Sequence, residues 1–132
     1  MKTVVITGAS TGIGAAAALY LAKHGWCVFA GVRKQADADA LSARSEGDIR
    51  PLILDVTKQD QVDAAVETVS EFLKGQTLTG LVNNAGIANM GPLAIQPLDE
   101  FKAHFEVNVF GLLRASQAFA PLLGMDEART GA

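Results

Sequence analysis

Four short aliphatic runs, residues 3–7, 27–32, 51–55 and 80–83, punctuate the chain, and each is followed by a helical pattern. The runs are continuously apolar rather than alternating, which is the pattern of strands covered on both faces. Residues 12–24 form an Ala-rich helix pattern, and residues 35–45 a shorter polar one. Residues 59–74 place Val62, Val66, Val69 and Leu73 on one stripe. Strands alternating with helices predict an α/β fold built on a doubly wound parallel sheet. No repeat or linker divides the chain, so residues 1–132 read as a single domain.

The last helical pattern runs from about residue 98 to 123. Phe101, Phe105, Asn108, Leu112, Ser116, Phe119 and Leu123 recur at steps of three and four, one face of a helix with a bend expected near Gly111. Residues 124–132 read as a loop-like tail where a doubly wound sheet would enter a fifth strand. The expectation is therefore a sheet truncated after about four strands, with the helical stripe partly uncovered.

Hydrophobic residues make up 49% of the 132 and charged residues 19%, which excludes a disordered tail. With 11 basic against 14 acidic residues the net charge is −3, so no basic field exists for nucleic acid. The longest apolar run, residues 13–22, is too short to span a bilayer. The first residues already read as a strand rather than a secretory signal, and Cys27 is a lone cysteine, so a cytoplasmic protein is expected. His24 and His104 with that one cysteine have no zinc spacing, and no metal site is expected. His24 reads as the end of the first helix and His104 as a solvent-facing side chain.

Between the first strand and the first helix lies Thr7-Gly8-Ala9-Ser10-Thr11-Gly12-Ile13-Gly14. Gly8 permits a tight turn, Gly12 lets backbone N–H groups approach a pyrophosphate, and Gly14 lets the helix press against the strand. The helix N-terminus adds unpaired donors and a partial positive charge. A purely structural turn is the alternative reading, and the absence of a following Gly-Lys-Ser/Thr disfavours an ATP-type loop. In dinucleotide folds the residue ending strand two selects the ribose, an acid favouring a free 2′-OH. Here Arg33 and Lys34 stand in that place, with no acid before Asp37. Arg33 is suited to grip a 2′-phosphate, with Ser10 or Thr11 adding hydroxyl bonds. NADP(H) is therefore preferred, with NAD(H) as the alternative and solvated strand-end charges as the bland reading.

The turn, together with Asn83-Asn84-Ala85-Gly86 after the fourth strand, resembles the short-chain dehydrogenase/reductase family over residues 2–123. The resemblance implies a Rossmann-type fold with the strand order 3-2-1-4, which leaves strand four as an edge, an NAD(P)-dependent oxidoreductase, and interconversion of a small-molecule carbonyl and alcohol. It gives Gly8, Ser10, Thr11, Gly12, Ile13 and Gly14 to the cofactor turn. It places Asp55, followed by Val56, at the adenine amino group, a role compatible with capping the helix that starts near Gln59. The backbone of Asn83, Ala85 and Gly86 would line the ribose and nicotinamide side, while Asn84 serves equally well to tie down the turn. Asn108 would belong to the catalytic set and hold a water in a proton relay; otherwise it only pins its helix to strand four. The family's catalytic Ser and Tyr-x-x-x-Lys are not matched, because Tyr20 is followed by His24 and sits in the first helix. As read, the chain is a cofactor-binding half that lacks its own catalytic groups. The alternatives are a non-catalytic nucleotide-binding or interaction module, or a half-enzyme completed by another polypeptide. The resemblance also implies a homo-oligomer for the complete enzyme.

Overall fold

The computed structural model describes residues 1–125. Four strands, β1 (Thr3–Ile6), β2 (Cys27–Val32), β3 (Ile49–Ile53) and β4 (Gly80–Val82), form one parallel sheet in the order β3-β2-β1-β4. Helices α1 (Gly12–Lys23), α2 (Gln35–Arg44) and α3 (Gln59–Leu73) are the crossovers. After β4 the chain passes through a 3₁₀ turn at Leu93–Ile95. It then enters α4 (Leu98–Phe105), a π-helical segment (Glu106–Gly111) and α5 (Leu112–Phe119), closed by a 3₁₀ turn at Ala120–Leu123.

The period of two along a strand sorts β1 and β2 onto two cores. Val4, Ile6, Val28, Ala30 and Val32 meet the small residues Ala15, Ala18 and Ala22 of α1 and Ala38 and Leu41 of α2. Val5, Cys27 and Phe29 face the opposite layer, where Val62, Ala65, Val69 and Leu73 of α3 pack with Phe119 and Leu122. The sheet is thus doubly wound, of Rossmann type.

Two-sided cover holds for β1 and β2, every residue of which is buried, but not for the outer strands. In β3 Arg50 and Ile53 are exposed while Leu52 is buried, and β4 is half-buried to exposed. The third strand also begins and ends two residues earlier than its apolar run suggests. It pairs with β2 from Val28↔Ile49 to Val32↔Ile53. Pro51, which has no N–H to give, is tolerated because β3 is an edge. Leu54 and Asp55 leave the sheet instead of extending it. Strands one and four each stop one residue short of expectation, freeing Thr7 and Asn83 for the turns.

The last helix leaves the anticipated stripe partly uncovered, as expected, and buries a neighbouring face. Its buried residues are Gly111, Ala115, Phe119 and Leu122, whereas Phe101, Phe105, Asn108 and Leu112 of the anticipated stripe are exposed. The π-helical segment shifts the face by the extra residue it inserts. Gly111 then sits where a Cβ would be 2.6 Å from Val56 Cγ2. The tail expected over residues 124–132 lies, beyond Met125, outside the described residues.

Candidate functional site

A cleft of about 220 Å³ opens at the carboxyl ends of the strands, beside the point where the strand order reverses between β1 and β4. That crevice is where open α/β sheets take their ligands. Of the residues anticipated from sequence, Gly8, Ser10, Thr11, Arg33, Asp55, Val56, Ala85 and Gly86 line it. Gly31, Val32, Leu54, Asn84, Ile87 and Val107 complete the wall.

The floor is the glycine turn. Gly8 has φ +65° and Gly12 φ +59°, backbone angles that disfavour any side chain. At Gly8 a Cβ would lie 2.7 Å from Ala85 Cα, so the turn presses directly on the segment after β4. A Cβ at Gly12 would meet nothing within 4 Å, so that position opens to space. Gly14 is buried, and a Cβ on it would run into the Gly8 carbonyl and Asn84 Nδ2; it packs against the turn and the β4 loop rather than a strand. Thr11 caps α1 without a side-chain hydrogen bond, and the first turn carries no acidic residue. Unpaired amides at a helix N-terminus without a competing carboxylate suit a phosphate group. Ile13 is 82% exposed on that first turn and, like Gly12 and Gly14, stands beside the cleft rather than in its wall.

Thr7 organises the wall, a role the sequence reading overlooked. Its buried hydroxyl accepts the N–H groups of Asn84 and Ala85, each at 3.0 Å. Asn84 in turn donates through Nδ2 to the Gly8 carbonyl at 2.9 Å. A hydroxyl immediately before the glycine turn is the signal that was there to be read. Asn83 points elsewhere: its Nδ2 donates to Ser116 Oγ at 3.0 Å, outside the cleft wall.

Asp55 accepts from the amide of Thr57 at 2.9 Å and from its hydroxyl at 2.7 Å, both on Oδ1. It therefore braces the turn before α3 rather than capping that helix, whose N-cap is Lys58 without a side-chain bond, and leaves Oδ2 for another donor. Burial by itself would raise its pKa, but the two Thr57 bonds, then Arg33 and Lys58, outweigh that and hold the carboxyl below its ordinary value. Gln61 fixes the Asp55 amide through Oε1 at 2.8 Å, a second contact not foreseen. Arg33 is exposed on the cleft rim and enters no salt bridge among the described residues.

Asn108 finds the partners an amide on a helix requires, though on an exposed face. Its Oδ1 accepts the Ile87 N–H and its Nδ2 donates to the Ile87 carbonyl, each at 2.8 Å. Nor does His104 simply face solvent. It is half-buried, and Nε2 accepts the Asn89 N–H at 2.8 Å. His24 closes α1 as anticipated, with Nδ1 2.7 Å from the Tyr20 carbonyl, and Tyr20 stacks on it. The buried Cys27 thiol is pushed up to about 11, first by burial and then by Asp48, which leaves it a poor nucleophile.

The family model of the short chain dehydrogenases matches residues 2–132. The chain belongs to that family. Among curated relatives, this chain is 37% identical over 94% of its length to an NADPH-dependent 3-dehydrocapnine reductase of Ornithobacterium rhinotracheale, covering 44% of that protein. It is 35% identical over 97% of its length to the mitochondrial D-beta-hydroxybutyrate dehydrogenase of Rattus norvegicus, covering 39% of it. Among solved structures, an NADPH-bound carbonyl reductase from chicken fatty liver superposes with a TM-score of 0.82 at 31% identity, over 92% of this chain and 51% of that one. A short-chain dehydrogenase/reductase from Mycobacterium marinum gives a TM-score of 0.79 at 34% identity, over 92% and 49%. The chain spans about half the length of these relatives or less. No helix of the described residues is long and apolar enough to cross a membrane.

Proposed function

We propose that this chain forms the cofactor-binding part of an NADP(H)-dependent oxidoreductase that interconverts a carbonyl and an alcohol on a small molecule. The observation that carries the reading is the cleft itself, with a positive-φ glycine turn as its floor, Arg33 on its rim in no salt bridge among the described residues and the Asp55 carboxylate in its wall. The NADPH named in one relative and bound in one structural neighbour supports the choice of cofactor.

When bound, the nicotinamide dinucleotide supplies hydride transfer. The chain's own residues bind and orient it. Backbone amides of the Gly8–Gly14 turn, with Ile13 opening the helix, take the pyrophosphate. Arg33, with Ser10 and Thr11, takes the 2′-phosphate. Asp55 offers Oδ2 to the adenine amino group beside Val56. The segment of Asn83, Ala85 and Gly86 borders the ribose and nicotinamide side. Asn108 positions that segment through Ile87, and a water-relay role falls to the second lone pair of its Oδ1. The family's Ser and Tyr-x-x-x-Lys have no counterpart in residues 1–132, so these residues by themselves bind rather than catalyse. A cytoplasmic setting and homo-oligomeric assembly belong to the same proposal. The buried free thiol supports the first, and the exposed apolar residues of α4 and α5 support the second.

Calorimetric titration with NADPH and NADH tests the reading. The expected result is a preference for NADPH that Arg33→Ala reduces by about tenfold to a hundredfold, the worth of a charge-assisted bond, with NADH little changed. Equal binding of both dinucleotides, unaffected by Arg33→Ala, overturns it.

A further inference from the structure

The rim of the cleft is held by two side chains from one helix. Asn108 takes both polar backbone atoms of Ile87, and His104, four residues earlier, takes the N–H of Asn89. Gln96 Nε2 secures the Asn89 carbonyl from the far side at 3.3 Å. Gly86 and Ile87, three and two residues before Asn89, line the cleft. The Asn89 bond has a chemical condition that the Asn108 bonds lack. A backbone N–H only donates, so Nε2 must accept, and only a neutral imidazole protonated on Nδ1 has that lone pair. An imidazolium would present a proton to a proton.

We propose that His104 is a pH-sensitive positioning residue: neutral, it latches the loop after β4 against α4 and keeps the cleft rim in place, and protonated, it releases that loop. Residues 83–97 contain no ionisable side chain, so no charge on the loop intervenes. The charges about His104 come from its own helix, Asp99, Glu100 and Lys102, and from the π-helical segment packed on it. There Glu106 is drawn to Arg114 at 3.3 Å. The latch is therefore closed with a neutral imidazole and opened by its protonation. Its consequence for dinucleotide binding rests on the function proposed above.

Amide exchange in the free chain, followed by NMR at about pH 5.5 and about pH 8 across the histidine range, tests the latch. After correction for intrinsic exchange chemistry, Asn89 protection should fall by about fivefold or more at the lower pH, the worth of one hydrogen bond. His104→Gln offers a non-titrating acceptor and should retain protection at both values, whereas His104→Ala should lose it at both. Asn89 protection that does not change with pH, or a His104→Gln variant as pH-dependent as wild type, overturns the proposal. NADPH affinity is read as the ratio of wild type to His104→Gln, because a phosphate monoester also titrates near about pH 6. That ratio should drop about fivefold on acidification. A constant ratio despite lost protection overturns control of the cleft by the latch. Lost protection with no dinucleotide binding at any pH supports the latch and overturns the dinucleotide reading instead.

Discussion

Single residues set the shape of the cleft floor. Gly8 combines a left-handed backbone with a 2.7 Å approach to Ala85 Cα, and neither condition accepts a side chain. Gly8→Ala should lower unfolding free energy by about 2–4 kcal/mol, from the φ penalty and the forced separation of turn and loop together. A urea midpoint measures it. Asp55 makes a prediction with a sign. Its folded-state pKa is depressed, so its contribution is present above the ordinary carboxylate range and is lost as pH falls through the depressed value. Asp55→Asn keeps an acceptor for Thr57 but no charge. The stability advantage of wild type over this variant should be full at neutral pH, begin to fall below about pH 4 and vanish only once pH is below the depressed value. Urea midpoints of the two proteins across that range check it.

At the scale of elements, the helix α4–α5 shows what a sequence pattern alone does not decide. Periodicity identified a helix over residues 98–123, because steps of three and four mark any helical face. It did not choose the face. The long apolar residues Phe101, Phe105 and Leu112 remain exposed, and small residues do the packing where the π-helical segment brings Gly111 against Val56. Phe119 is the exception, fully buried between α3 and the sheet. Phe119→Ala should therefore cost about 3–5 kcal/mol. Leu112→Ala, at 45% exposure, should stay within about 0.5 kcal/mol. Thermal unfolding of both variants distinguishes the observed face from the anticipated one. The strands divide the same way. β1 and β2 were legible from their unbroken apolar runs, while the β3 boundary depended on which residues β2 could pair.

Across the whole molecule, contacts between distant stretches of chain assemble the cleft. Thr7 joins the end of β1 to residues 84 and 85, more than seventy positions away. Thr7→Val keeps the shape and removes the acceptor, leaving two partly buried amides unpaired. It should cost about 1–3 kcal/mol and weaken NADPH binding, with Thr7→Ser restoring both. Calorimetry and thermal melts report the two effects separately.

By itself the sequence determined the strand and helix alternation, the glycine turn and the acid-free end of β2. Each of these is local: a hydrophobic period, a glycine spacing or the chemistry of one strand end is complete within a few neighbouring residues. The tertiary structure decided that Thr7 and Gln61 are structural members of the site. It also decided that Asn83 turns to Ser116, that Asn108 and His104 clamp one loop, and which face of the last helix is buried. Those outcomes depend on which backbone donors and acceptors are left unsatisfied once the sheet has formed, and only the packed chain brings them within hydrogen-bonding reach.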